Sequence, residues 1–164
     1  MPETKDPPCV PEPLSRTERA ESYRRLARWP EFWPASRRTT PGAALPHYHH
    51  GNDSGWDIAT TFGPERVVAT ADLAAFLTLQ VHELARLAPE LDLPSEARRW
   101  TRTTDATQAA MPDELWTGER FVARGIDSTA TWDSAGLPDL MPRALGEHLP
   151  EHIGKTWPPG SRPT

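Results

Sequence analysis

Between Pro46 and Phe62 the chain reads PHYHHGNDSGWDIATTF, a stretch in which imidazoles, two carboxylates, an amide, an indole and several hydroxyls sit between glycines. Glycine lets backbone approach a ligand closely, an indole face stacks on the C–H face of a sugar, and Asn, Asp and His satisfy hydroxyls as donors or acceptors. That set suits a neutral, polyhydroxylated ligand, with His49, Asn52 and Trp56 as candidate contacts. Asp57 follows Trp56 directly. A carboxyl beside an indole is desolvated, its pKa rises, and it keeps a proton to deliver to a leaving oxygen, which makes Asp57 the candidate general acid. Blander readings exist for each. Asp57 can be an ordinary loop aspartate capping a turn, and Asn52 and Trp56 can be loop packing. His47, His49 and His50 with Asp53 offer metal-ligand types, but i, i+2, i+3 spacing in a loop without a fixed scaffold seldom converges on one ion. No metal and no cofactor is expected.

Bulk composition limits what can surround this segment. The 164 residues match one domain, yet the apolar share without glycine is 37%, below the about 45–50% of ordinary globular chains in which glycine is counted too, and 19 residues are proline. A tight core is hard to build from such a chain. The net charge of -5 and the pI near 5.7 come without any Lys/Arg block free of acids, so no phosphate-tracking surface and no nucleic-acid partner is expected. Cys9 is the sole cysteine, which excludes an intramolecular disulfide and fits a reducing compartment. The start, MPETKDPPCVPEP, has no apolar signal core, and no run of about 18 apolar residues occurs. The expectation is a cytoplasmic protein with no membrane partner.

The elements that must position the loop read as helices. Residues 1–14 are proline-rich and predict a disordered lead-in. Ser15 and Glu18 have capping-box spacing, and Tyr23, Leu26, Ala27 and Trp33 recur at helical intervals. An interior proline costs about 3 kcal/mol, so Pro30 and Pro34 predict that this helix stops near Trp29. Residues 39–69 carry glycines without a stripe and read as one long loop. Leu73, Phe76, Leu77, Val81, Leu84, Leu87, Ala88 and Leu91 then predict a helix, with Thr70 or Asp72 as its cap and Pro89 near its end. After the Leu93-Pro94-Ser95 connection, Trp100, Thr104, Thr107, Met111 and Leu115 predict a third helix, antiparallel to the second and shortened by Pro112. Trp100 and Trp116 read as core or hairpin-interface residues. WTGERFVAR at 116–124 reads as a turn into a short extended segment. Leu137, Leu140, Met141, Ala144, Leu145 and Leu149 predict a last helix damaged by Pro142, and residues 151–164 read as a disordered tail. With no strong strand pattern, the fold class is all-α, built from helix pairs, with one domain over residues 15–150.

HGNDSGWD at 50–57 resembles the S-G-W-D acid segment of glycosidases with a six-hairpin (α/α) barrel: trehalases, family 63 mannosyl-oligosaccharide glucosidases, mannosylglycerate hydrolases and amylo-1,6-glucosidase-like proteins. Four other segments carry the same likeness in the family's order. Y-x-x-L-x-x-x-x-x-F-W at Tyr23–Trp33 precedes the motif, and D-L-x-A-F-L-x-L-Q at Asp72–Gln80 follows it. E-L-W-x-G-x-R-F-V-A-R spans Glu114–Arg124, and L-P-x-L-M-P-x-x-L-G-x-x-L-P spans Leu137–Pro150. The likeness covers about residues 18–150.

The resemblance implies an incomplete (α/α)6 toroid made of helical hairpins, and inverting hydrolysis of an O-glycosidic bond in an oligosaccharide or small glucoside. Asp57 stands at the acid's position. The family's base is a glutamate on a later segment, beyond this chain, so the resemblance also implies a truncated protein that is inactive alone. A complementary chain supplying the remaining helices is the partner this calls for. Where relatives carry Asn or a small polar residue after the acid, this chain has Ile58, and its helix prolines replace helix formers. A non-catalytic carbohydrate- or partner-binding remnant is the competing expectation.

Overall fold

The computed structural model describes residues 13–37, 44–56, 59, 61–63, 66–126, 128, 130–133 and 136–156. The fold is mostly α. Helix α1, Arg16–Ser36, opens on the expected capping box: the Ser15 side chain accepts from the Glu18 backbone N–H, and the Glu18 carboxylate accepts from the Ser15 N–H at 2.9 Å. It does not stop near Trp29. Pro30 removes the donor that would have reached the Leu26 carbonyl, and Gln80 Nε2 fills that gap with a 3.1 Å bond to the same carbonyl; Pro34 also lies inside the helix.

Thr70 caps α2, Ala71–Leu87, by backbone geometry alone, and Asp72 is no cap but a wholly buried residue of its first turn. The chain then turns through Pro89–Leu91, with Asp92 in the left-handed region at φ 58, into α3, Pro94–Leu115. Pro112 does not shorten α3. Its last turn is held by the Trp116 N–H on the Pro112 carbonyl at 3.1 Å and the Val122 N–H on the Leu115 carbonyl at 3.0 Å.

Side-chain clusters show that both neighbours of α2 run antiparallel to it. Tyr23 and Ala27 pack with Val81, Leu84, Ala88 and Trp100, while Trp33 packs with Leu73 and Leu77. At the other end of the α2–α3 hairpin, Ala71, Ala74 and Ala75 meet Met111 and Leu115. Helical hairpins of this kind are the units of a helical toroid. Trp100 is buried, donating from Nε1 to the Tyr23 hydroxyl at 2.8 Å, and Trp116 packs on Phe121, so both tryptophans are packing residues as expected.

A small antiparallel sheet is the element the sequence hid. Strands β1 (Val68–Ala69), β2 (Ala123–Gly125) and β3 (Thr131–Trp132) stand in the order β1-β2-β3, pairing Val68 with Gly125 and Ala123 with Trp132. Two or three residues are too few to show a period of two. The turn before β2 does form, closed by a Trp116–Phe121 bridge. Beyond it, α4 (Leu137–Leu140) passes into a 3₁₀ segment, Met141–His148, broken where Gly146 takes φ 53. Residues 151–156, the start of the proline-rich end, form α5 and bury Ile153 completely. No helix among the described residues is long and apolar enough to cross a membrane.

Candidate functional site

The expected long loop is partly ordered by its own polar groups. Tyr48 exchanges both backbone bonds with Val68, at 2.9 and 3.0 Å, so the loop enters as an extra rung on β1. Its ring is buried between Trp33 and Phe62, edge-on to each with centroids 5.5 Å away. A single 3₁₀ turn follows, Gly51–Asp53, started by His50 Nδ1 accepting the Asn52 N–H at 3.1 Å. Asp53 reaches back to take the His49 N–H at 3.0 Å, with the Arg37 guanidinium 3.6 Å from the same oxygen.

Two glycines are required here for different reasons. A Cβ on Gly51 would lie 2.9 Å from the Phe62 Cβ, too close for any neighbour, and Gly55 has φ 73. Ser54 then ties the turn to the indole-bearing residue: its Oγ donates to the Gly51 carbonyl at 2.6 Å and accepts the Trp56 N–H at 3.0 Å.

The expected ligand residues are placed as follows. His49 and Asn52 are exposed and Trp56 is half-buried, so these three present polar and aromatic groups at the loop surface. Asp57 and Ile58 lie outside the described residues. His47 is buried, and its Nε2 stands 3.0 Å from His49 Nε2 with the rings stacked at a 4.9 Å centroid distance. Among the described residues no group of three or more His, Cys, Asp or Glu is arranged to hold a metal ion.

Sequence reasoning missed the carboxyl behind the loop. Asp72 Oδ2 accepts the Trp56 indole N–H at 2.8 Å and the Tyr48 hydroxyl at 3.2 Å. Burial, then the Asp72 charge and its hydrogen bond, push the Tyr48 phenol well above its ordinary value of 10, so Tyr48 is a neutral donor at any physiological pH. The available signal was an acidic residue opening an apolar helix, which reads as a cap.

The mannosylglycerate hydrolase MGH1-like glycoside hydrolase domain family has a model that matches residues 9–159, nearly the whole chain. No curated protein and no solved structure gives a significant match.

Proposed function

The chain belongs to the mannosylglycerate hydrolase MGH1-like glycoside hydrolase domain family, and from that premise we propose that its 46–62 loop is a sugar subsite with Asp57 as the general acid of an inverting hydrolysis. In such chemistry the acid protonates the leaving oxygen, and a second carboxylate about 6.5–9.5 Å away activates water on the opposite face of the sugar. We assign that second carboxylate to a segment or chain outside these 164 residues. The substrate class is an oligosaccharide or small glucoside, and the compartment the cytoplasm.

The observation that carries this reading is the state of Trp56. The residue directly before Asp57 is held by its side chain on Asp72 and by its backbone on Ser54, yet remains half-buried, with exposed His49 and Asn52 on the same loop. An indole held at one edge and open on the rest of its surface is placed to stack on a sugar ring.

A non-catalytic binding role is the second reading, favoured by Leu26, Trp29 and Phe32 of α1 and Phe76 of α2. All four are large, apolar and exposed, as a surface covered by a partner would be. Titration with neutral glycosides, followed by calorimetry and by NMR shift mapping, tests the sugar subsite. Binding is expected near millimolar, about 4 kcal/mol, because an open site encloses its ligand poorly, and it should vanish in Trp56→Ala. Undiminished binding in that variant, or shifts mapped to α2 instead of the loop, would overturn the proposal.

A further inference from the structure

We propose that Asp72 is a positioning residue for the sugar-subsite loop: one buried carboxylate oxygen on the first turn of α2 holds both Tyr48 and Trp56. This inference rests on the reading of Trp56 as a sugar contact, and Asp72 acts through Tyr48 and Trp56.

The cost of putting a carboxyl there argues that it does more than fill space. Asp72 is 0% exposed, and a carboxyl removed from water is unfavourable unless its partners replace the water. An aspartate at a helix start has an inexpensive alternative, which is to turn outward and cap free backbone N–H groups. The Thr70 side chain makes no capping bond either, so the need for a cap is real and Asp72 does not meet it. Its Oδ2 instead reaches sideways to two loop donors, the indole at 2.8 Å and the phenol at 3.2 Å, while Oδ1 has no hydrogen-bond partner among the described residues. The partial positive charge of the α2 N-terminus favours a carboxylate at this point.

The geometry is that of a staple. Tyr48 is already fixed by its backbone pairing with Val68 on β1, and Trp56 by Ser54. Asp72 joins these two ends of the loop to the helix that touches α1, α3, α4 and the Met141–His148 segment. Motion of Trp56 relative to that frame must break the 2.8 Å bond. Pre-organisation of this sort matters for an indole that is to contact a ligand, since a group already held in place loses less freedom on binding.

The test uses the full chain and the indole N–H signals of ¹⁵N-labelled protein, with Trp56→Phe assigning the Trp56 signal. In Asp72→Asn, which keeps the shape but not the charge, the Trp56 indole N–H should shift upfield and exchange with solvent at least about tenfold faster. The Trp100 indole, bonded to Tyr23 in a separate core, should not move, and far-UV circular dichroism should be unchanged. Glycoside affinity should fall by about tenfold while the binding surface stays the same.

An unaltered Trp56 indole signal would overturn the proposal. So would a Trp100 indole signal that moves as much as that of Trp56 while helicity is kept, which is what a merely structural role for Asp72 predicts. Should Asp72→Asn fail to fold, Trp56→Phe leaves Asp72 in place and supplies the second arm. It should loosen the Asp53 and Ser54 amide signals without lowering helicity, and unchanged loop amides would contradict the staple. The indole readout needs no sugar, so its failure leaves the acid assignment standing. Absent sugar binding with an intact indole response removes the sugar-subsite reading alone.

Discussion

Replacing Tyr48 by Phe removes one oxygen and nothing else, which makes its consequences calculable. The ring keeps its edge contacts with Trp33 and Phe62, so no cavity opens. What is lost is a buried bond to a carboxylate. Bonds to charged groups contribute about 1.5–3 kcal/mol, and a 3.2 Å O–H···O bond is long, so the lower end applies, about 1.5 kcal/mol. At about 2–4 °C per kcal/mol for a chain of this size, Tm should fall by about 3–6 °C.

A second, independent signature lies at alkaline pH. The Tyr48 phenol is raised in the folded state, so above pH 10 the unfolded chain loses its proton first and the native state holds more protons. The stability conferred by the neutral phenol is therefore complete below pH 10 and is lost as pH climbs toward the raised folded value, with a slope of at most about 1.4 kcal/mol per pH unit for each such tyrosine. The chain has only two tyrosines, and Tyr23 is also raised, mainly by burial. Tyr48→Phe should thus make the alkaline fall in urea-derived stability distinctly shallower while lowering the neutral plateau. A Tm within about 1 °C of wild type together with a parallel alkaline limb would refute the reasoning.

Other consequences are equally specific. Gln80→Leu strips the Leu26 carbonyl of the donor that replaces the Pro30 N–H, and at this exposed site it should cost about 0.5–1 kcal/mol, measured by urea unfolding; no change would mean water serves as well. Gly51→Ala drives a Cβ to 2.9 Å from Phe62 and should cost about 1–3 kcal/mol, with loss of the loop's amide dispersion in NMR spectra. Gly55→Ala meets no atom within 4 Å and should cost only the left-handed backbone, about 1 kcal/mol, so equal effects at the two glycines would contradict the packing described. The chain alone should show no turnover of trehalose, kojibiose or maltose derivatives, and turnover abolished by Asp57→Asn would overturn the assignment of the second carboxylate to another segment.

What the sequence disclosed and what it concealed divide along the range of the interactions. Helix α2 is legible because its apolar stripe is local and unbroken from Leu73 to Leu84, and the capping box at Ser15 involves residues only three apart. The continuation of α1 through Pro30 depends on a side chain 54 positions away, which no local pattern reveals. The strands are too short to show alternation, and pairing Val68 with Gly125 is set by the hairpin of α2 and α3 that brings them together. Composition singles out Trp56, Asn52 and His49 because polar and aromatic residues gather in one stretch, and on the folded loop His49 and Asn52 are exposed and Trp56 is half-buried. It does not single out Tyr48 and Asp72, since their role comes from mutual contact inside the fold: Tyr48 is one aromatic among several, and Asp72 stands where helix caps usually stand.

The central claim is that Asp57 is a protonated acid at a sugar site, and its carboxyl can be observed directly. With ¹³C-labelled aspartate, the Asp57 signal is the one lost in Asp57→Asn. It should titrate above the ordinary aspartate value near 4, and saturating glycoside should move it further. A titration near 4 that glycoside leaves untouched would contradict the account.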